Sequence, residues 1–437
     1  MNEVQDEREQ TVAELLEQGE IADAVIALDR VGAGEQSNLV RDLPADHAAE
    51  LIDHVIDAAA APILSGMSAD NAAAILEHIT SDHRADLIAS LPDDAAAEVM
   101  ACLQPQLAAE ARDLLQYPSD SAGGLMTTEL LRFDAESTVG DIIDDFGRNA
   151  AIYRDFEVQY SFVCRDGRLV GVLPLRDLLL SNGDTPVSSI MVADPLFVAA
   201  STPIDDLENV FDNHRFLAIP VVDDDKTLLG VVQRSAVESA LSEQQRSDYL
   251  KSQGIVGGEE IRSLPMLDRS RRRISWLSIN ILLNVCAASV IANFQETLQS
   301  VIALAVFLPI ISDMSGCSGN QAVAVSMREL SLGLVRPRDM FRVLFKELTV
   351  GMLNGFVLGL LVATAAVCWK GEIMLGVVVG TALCINTIIA VCFGGVVPLL
   401  LKRFSVDPAL ASGPLLTTIT DMCGFLLALG MASVLLV

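Results

Sequence analysis

The sequence predicts a multidomain chain: an α-helical N-terminal superhelix, an α/β pair of similar modules, and an all-α transmembrane domain of five helices. Three observations carry this reading. Charge is divided along the chain: residues 1–268 hold 50 acidic and 17 basic side chains, a net of −33, whereas 269–437 hold 8 and 12, a net of +4. The second part contains uncharged runs long enough to cross a bilayer. The first part contains two different internal repeats, one alanine-rich with helical spacing and one built on β-branched strands.

In the helical part, residues 1–120, the segments LPADHAAELIDHV (43–55), MSADNAAAILEHI (67–79) and LPDDAAAEVMACL (91–103) recur every 24 residues. Asp46, Asp70 and Asp94 fall in register, followed by Ala48, Ala72 and Ala96. Each unit opens on Ser/Pro/Asp helix-start residues and continues as an amphipathic helix. Such a helix cannot bury its apolar face alone, so the units are expected to stack on one another.

Residues 121–245 change character. MTTELLRFDAESTVGDIIDDF (126–146) is similar to MVADPLFVAASTPIDDLENVF (191–211). Then SFVCRDGRLVGVLPLRDLL (161–179) parallels LAIPVVDDDKTLLGVVQRSAV (217–237). In each copy a β-branched strand, an acidic turn and a strand containing Gly-Val read as a hairpin, followed by a helix pattern. This pair resembles a tandem of CBS domains, 121–184 and 185–245. In that family nucleotide binding favours Thr or Ser after the Gly-Val strand and Asp three residues on. The first copy has Pro174 and Asp177 and the second has Gln233 and Ala236, so one position of four matches. The resemblance thus implies a structural, dimerising module, and a nucleotide cofactor is doubtful.

Residues 246–270 connect to the membrane domain, 271–437. A membrane helix needs ~20 mostly apolar residues, because the hydrocarbon is ~30 Å thick and a helix rises ~1.5 Å per residue. Residues 274–295, 348–369 and 373–401 contain no Asp, Glu, Lys or Arg over 22, 22 and 29 positions. The stretches 297–327 and 408–437 each contain a single charge, Asp313 and Asp421. Five spans follow. Basic residues cluster before span one (Arg269, Arg271, Arg272, Arg273), between spans two and three (Arg328, Arg336, Arg338, Arg342, Lys346) and between spans four and five (Lys402, Arg403). The opposite loops hold only Lys370 among bases. By the positive-inside rule the N-terminus and the acidic half are cytoplasmic and the C-terminus is outside. Trp276 and Trp369 fall near span ends, where indoles anchor at the interface.

An ionisable side chain at the bilayer centre costs ~2.5–3.5 kcal/mol on insertion scales, which makes Asp421 the leading candidate for function. Thr417 and Thr418 precede it by four and three residues and share its helix face, which Gly424 continues. One carboxylate with nearby hydroxyls and carbonyls suits a hydrated Mg²⁺, which keeps several waters and needs one or two carboxylates. A protonated aspartate bonded between helices is the alternative. Asp313 lies between Pro309 and Gly316/Gly319, residues expected to break a span and line a cavity; structural pairing is the other reading. Asn320 and Gln321 supply further oxygens or bond across helices, and Glu347 sits beside Lys346 at the start of span three.

Other chemistries find little support. The eight cysteines form no CxxC pair, and all five histidines lie in the acidic half, which argues against a His-lined metal path through the membrane. No Gly-rich Lys-Ser/Thr loop for ATP hydrolysis is present, so no enzyme activity is expected. The acidic half repels nucleic acid and favours cations. The N-terminus, MNEVQDEREQ, is polar and acidic and reads as neither a signal nor a transit peptide.

The order of helical repeat, CBS pair, linker and five spans resembles the MgtE magnesium-channel family over essentially the whole chain. Span two, LAVFLPIISDMSGCSGNQAVAV, is similar to the family's apolar-Pro and Gly-Gly-Asn-x-Gly-x-Gln segment. Span five, DPALASGPLLTTITDMCGF, is similar to its Asp-Pro-Ala, Ser-Gly-Pro and Thr-Thr-x-Thr-Asp signature. The chain departs from the family at Ser315-Gly316-Cys317, at the extra acid Asp313, and in the linker SEQQRSDYLKSQ (242–253), which is less acidic. The resemblance implies a homodimer with a pore lined by spans two and five and two copies of Asp421 at the twofold axis. It implies inward flow of Mg²⁺ or a similar divalent cation; read from the residues themselves, Asp421, Thr417, Thr418, Asp313, Gly316, Asn320 and Glu347 are the candidate metal-site residues. Carboxylates of the acidic half, among them Asp93, Asp94, Asp223, Asp224, Asp225 and Asp248, are candidate regulatory Mg²⁺ ligands. A carrier of Mg²⁺ or Co²⁺ coupled to Na⁺, and a non-transporting sensor, remain as alternatives.

Overall fold

The structure, a computed structural model, describes residues 12–153, 156, 160–255, 266–404 and 406–437. Among these, residues up to Gln244 form one compact unit and residues from Gln245 onward a second. Part of the expected connecting segment, 256–265, lies outside the described residues, as do the first eleven residues.

The first unit begins with short helices: α1 (residues 12–17), α2 (Ile21–Asp29), α3 (Ala33–Asp42), α4 (Ala45–Asp53), α5 (Asp57–Ser65), α6 (Ala69–Leu76), α7 (Ser81–Ser90), α8 (Asp93–Cys102) and α9 (Pro105–Leu114). From α2 onward each packs on the helix two places along, α2 on α4, α4 on α6 and α6 on α8, with α3, α5, α7 and α9 forming the second row. This is the expected superhelix, but the 24-residue unit holds two helices where the sequence pattern suggested one. Ala48 and Ala72 are fully buried, and their small side chains let neighbouring helices approach closely. Pro44, Ser68 and Pro92 sit at the N-caps of α4, α6 and α8, and the Ser68 hydroxyl accepts a bond from the Asn71 amide at 3.4 Å.

The α/β pair follows. Its strands are β1 (Met126–Thr127), β2 (Leu131–Asp134), β3 (Tyr160–Arg165), β4 (Arg168–Pro174), β5 (Val192–Ala193), β6 (Val198–Ala199), β7 (Ala218–Val222) and β8 (Leu228–Gln233). The helices between them are α10 (Val139–Arg148), α11 (Ala150–Tyr153), α12 (Leu175–Leu179), α13 (Val187–Ile190) and α14 (Ile204–Asn213), and α15 (Arg234–Ser252) follows β8. The two expected hairpins are β3–β4 and β7–β8, both antiparallel. Each copy lends its first strand to the other. The sheets run β2-β3-β4-β5 and β1-β8-β7-β6, so β5 of the second copy closes the first sheet and β1 of the first copy closes the second. This exchange ties the copies together with backbone bonds, and two-residue strands give no periodic pattern that would reveal it.

The second unit contains α16 (Met266–Asn293), α17 (Gln295–Ser300), α18 (Leu304–Ser331), a 3₁₀ turn (Pro337–Asp339), α19 (Met340–Lys370), α20 (Ile373–Arg403) and α21 (Pro408–Leu435). Five of these helices are at least 28 residues long. By length and composition four can cross a membrane: α16, α19, α20 and α21. The polar run of serines, glycines and Asp313 keeps α18 from joining them, although it is long enough. Its boundaries differ from the expected 297–327, because α17 forms a separate turn ahead of it.

The expected break in span two is absent. α18 runs unbroken through Pro309, Gly316 and Gly319. Pro309 is the sixth residue of α18, so it forfeits the bond to the Ala305 carbonyl without ending the helix. The glycines serve close packing instead: a Cβ at Gly319 would lie 3.0 Å from the Ala390 carbonyl of α20 and 2.8 Å from Leu416 of α21. Gly351, Gly355 and Gly359 bring α19 onto α20 in the same manner. Gly371, at φ +75°, terminates α19 and permits the tight turn into α20.

Candidate metal site in the long helices

The second unit is built around α20, which packs on α18, α19 and α21 and is the most buried of the long helices. α21 starts at Asp407, whose side chain accepts from the Ala409 amide at 2.9 Å, with Pro408 as its first residue.

Asp421 is half-buried between α21 and α18, and Ser312 of α18 donates to its Oδ1. No donor among the described residues reaches the second oxygen. Thr417 donates to the Gly413 carbonyl at 3.0 Å and Thr418 to the Pro414 carbonyl at 2.8 Å, so both hydroxyls spend their proton on their own helix and keep oxygen lone pairs for a ligand. Thr417 is exposed and Thr418 half-buried. Gly316 comes close to this turn: a Cβ there would stand 4.0 Å from Thr420 Oγ1.

Asp313, Cys317, Asn320 and Gln321 are all exposed, at helical spacings that put them along one face of α18. Asp313 follows Ser312 directly and so lies next to the Asp421 contact in sequence. Glu347 lies elsewhere. Its Cγ would be 2.6 Å from a Cβ on Gly395 of α20, and the Gly395 carbonyl accepts from Ser326 at 2.9 Å. Gly395 is nine residues beyond Asn386, which bonds the Thr420 carbonyl, so Glu347 is about 14 Å farther along α20. The structure brings Asp421, Ser312, Gly316 and the two threonines together and leaves Glu347 at another level. Ser312 is not distinguishable in the sequence because serines are frequent in this span; its position directly before Asp313 was the available signal.

The acidic candidates of the first unit are spread out. Asp93 and Asp94 are exposed in the first turn of α8, where carboxylates favour the helix dipole. Asp223, Asp224 and Asp225 are exposed in the β7–β8 turn. Asp223 accepts from the Asp225 and Thr227 amides at 2.9 and 2.7 Å, and the Thr227 amide holds its carboxyl below the ordinary range. Asp248, in the second unit, faces Lys251, whose Nζ is 3.6 Å from Asp248 and 3.3 Å from Asp407. Burial pushes the Asp248 carboxyl up; Lys251 acts against this and Asp407 with it. No group of three or more His, Cys, Asp or Glu side chains arranged for a metal occurs among the described residues. A cavity of about 340 Å³ beside Gln233 and Ala236 is lined by Asp53, Asp82 and Glu129. Three carboxylates there disfavour the phosphates of a nucleotide.

Three comparisons bear on this arrangement. Residues 308–431 match the family described as divalent cation transporter MgtE, residues 4–120 match the MgtE intracellular N domain, and residues 122–181 and 187–243 match the CBS domain. The magnesium transporter MgtE of Thermus thermophilus is 34% identical over 341 residues, 76% of this chain and 74% of that one. The magnesium transporter MgtE of Bacillus subtilis is 31% identical over 322 residues, 73% of this chain and 70% of that one. A solved structure, the cytosolic domain of the Mg²⁺ channel MgtE in complex with ATP, is similar at 29% identity with a TM-score of 0.49, covering 52% of this chain and 93% of that one. A helical N domain, a CBS pair and long apolar helices, with sequence similarity across both halves, show that the chain belongs to the MgtE family of magnesium transporters.

Proposed function

We propose that this chain forms a passive inward path for Mg²⁺, with Asp421 as its central ligand and the acidic half as its gate. The observation that carries the proposal is the Asp421 carboxylate. One oxygen is held by Ser312, the other is free of donors among the described residues, and the adjacent α18 exposes a polar stripe where lipid would favour apolar side chains. A stripe of this kind belongs against water or a second subunit. A homodimer with its twofold axis along α18 and α21 covers it and puts two carboxylates beside one path. Thr417, Thr418 and the α18 residues Asp313, Gly316 and Asn320 then contact the ion through water, as the reluctance of Mg²⁺ to dehydrate requires. Glu347 acts at a separate level of the path. The N-terminus is cytoplasmic and the C-terminus outside.

The membrane potential supplies the drive, about 4.6 kcal/mol per 100 mV for a divalent ion. In the gate, bare carboxylates such as Asp93, Asp94, Asp223, Asp224, Asp225 and Asp248 repel one another, and bound Mg²⁺ relieves the repulsion. Nucleotide has no role in this proposal. The test is Mg²⁺ influx into proteoliposomes under an inside-negative potential, wild type beside Asp421→Asn, with and without a sodium gradient. Influx should rise with potential, ignore sodium and be lost in the variant. Equal influx in the variant overturns the proposal, and a strict sodium requirement replaces it with a coupled carrier.

A further inference from the structure

We infer that Asn386 is a specificity-determining positioning residue: by holding the backbone at Thr420 it fixes where the Asp421 carboxylate stands, and so favours Mg²⁺ over larger divalent cations. The inference rests on the reading of Asp421 given above.

Asn386 is fully buried in α20. Its Nδ2 donates to the Thr420 carbonyl of α21 at 3.0 Å, one residue before Asp421. The approach depends on Gly424, one turn along α21. A Cβ at that position would lie 2.7 Å from Asn386 Nδ2 and 3.3 Å from Ile311 Cγ2. The bond has a cost in the same side chain, because Asn386 Oδ1 is buried without a partner among the described residues. Leucine shares the γ-branched shape, though it is bulkier, and would leave no orphaned oxygen. Packing alone therefore does not account for a carboxamide here; the geometry it imposes does.

That geometry concerns the ion ligand directly. Asp421 is steered from two helices other than its own: Ser312 of α18 holds the carboxylate, and Asn386 of α20 holds the backbone that carries it. Both constraints are needed to define a side chain in space, since a bond to one oxygen still allows the helix to slide or rotate. Mg²⁺ demands near-octahedral geometry, whereas Ca²⁺ accepts more ligands in flexible arrangements. A carboxylate on a loosened turn therefore loses the preference for Mg²⁺ before it loses the ability to attract a divalent ion.

The experiment compares Mg²⁺ and Ca²⁺ flux through the full chain in proteoliposomes for wild type, Asn386→Leu, Gly424→Ala, Thr387→Val and Asp421→Asn. Asn386→Leu removes the bond from one end, and Gly424→Ala pushes the amide away from the other. Both should lower the Mg²⁺:Ca²⁺ flux ratio by about threefold to tenfold, the factor that one interhelical hydrogen bond in a membrane carries. Thr387→Val removes the neighbouring buried hydroxyl of α20, which makes no bond among the described residues, and should leave the ratio unchanged. A folded Asn386→Leu protein with the wild-type ratio overturns the inference, as does an equal change in Thr387→Val. Should Asn386→Leu fail to fold, an unchanged ratio in Gly424→Ala overturns it. Wild-type flux in Asp421→Asn removes the underlying reading and this inference with it; lost flux there with an unchanged ratio in Asn386→Leu defeats the inference alone.

Discussion

His83 of α7 lies between two carboxylates of the first unit, its Nδ1 2.7 Å from Asp53 at the end of α4 and its Nε2 3.2 Å from Asp57 at the start of α5. Burial opposes a charge on the ring, but the hydrogen bonds the ring donates to Asp53 and Asp57 outweigh it and push the imidazole up to about 10. The His83 hydrogen bond in turn lowers the Asp53 carboxyl. A rise from 6.5 to about 10 corresponds at pH 7 to an upper limit of about 4 kcal/mol. The ring is 21% exposed and the Asp53 side chain 46%, so solvent screening reduces this to about 2 kcal/mol. The sign follows from linkage. A base with a raised folded pKa stabilises fully below its unfolded value near 6.5, and the contribution falls away as pH rises toward 10. His83→Gln removes the charge and keeps a donor. Amide exchange of the full chain should then show α7 opening more easily by about 2 kcal/mol at pH 6.5 and by about half as much at pH 8.5. Asp86, pushed up to about 7 by burial beside Asp57 and Asp82, is itself lowered by the His83 charge, so both proteins carry Asp86→Asn to keep its titration out of the difference. Unchanged protection of α7, or a larger difference at the higher pH, would refute the internal ion-pair account.

Two further outcomes test the packing and the linker. Gly394→Ala drives a Cβ into the Gly319 carbonyl oxygen, a backbone atom that cannot swing aside, so α18 and α20 must separate at a cost of about 1–3 kcal/mol. Gly430→Ala meets nothing within 4 Å, and its melting temperature in detergent should equal or exceed that of wild type; a lower value than in Gly394→Ala contradicts the packing argument. Lys251→Met leaves Asp248 and Asp407 facing each other without their shared ammonium. Exchange of the α15 amides near residues 248–252 should accelerate about fivefold, as loss of a partly exposed ion pair predicts, and millimolar Mg²⁺ should reverse part of the change; equal exchange in both proteins argues against the bridge.

Much of this molecule is legible before any coordinates exist. Charge-free runs announce the apolar helices because a bilayer tolerates little else. The 24-residue alanine pattern announces stacked helices, and the hairpins follow from β-branched runs around Asp-Gly and Asp-Asp-Asp turns. Asp421 stands out because a carboxylate in an apolar run is costly.

What local pattern does not encode is which distant segment each group meets. The exchange of β1 and β5 between the two copies depends on backbone pairing between separate repeats, as in Met126 opposite Val232 and Val172 opposite Val192. The continuity of α18 through Pro309 and its glycines runs against the sequence expectation, because such residues break helices in isolation, whereas here Ala390, Leu416 and Gly394 close in on Gly319. Ser312 and Asn386 look in sequence like any serine and asparagine of a membrane helix. They acquire a role only when α18 and α20 bring them to Asp421 and to the carbonyl beside it. Composition determined which segments are apolar enough to cross a membrane and where the acids Asp313 and Asp421 interrupt the apolar stretches, since transfer from water is a property of each segment. The tertiary structure decided how the Asp421 carboxyl is held, since hydrogen bonds between helices exist only once the helices have packed.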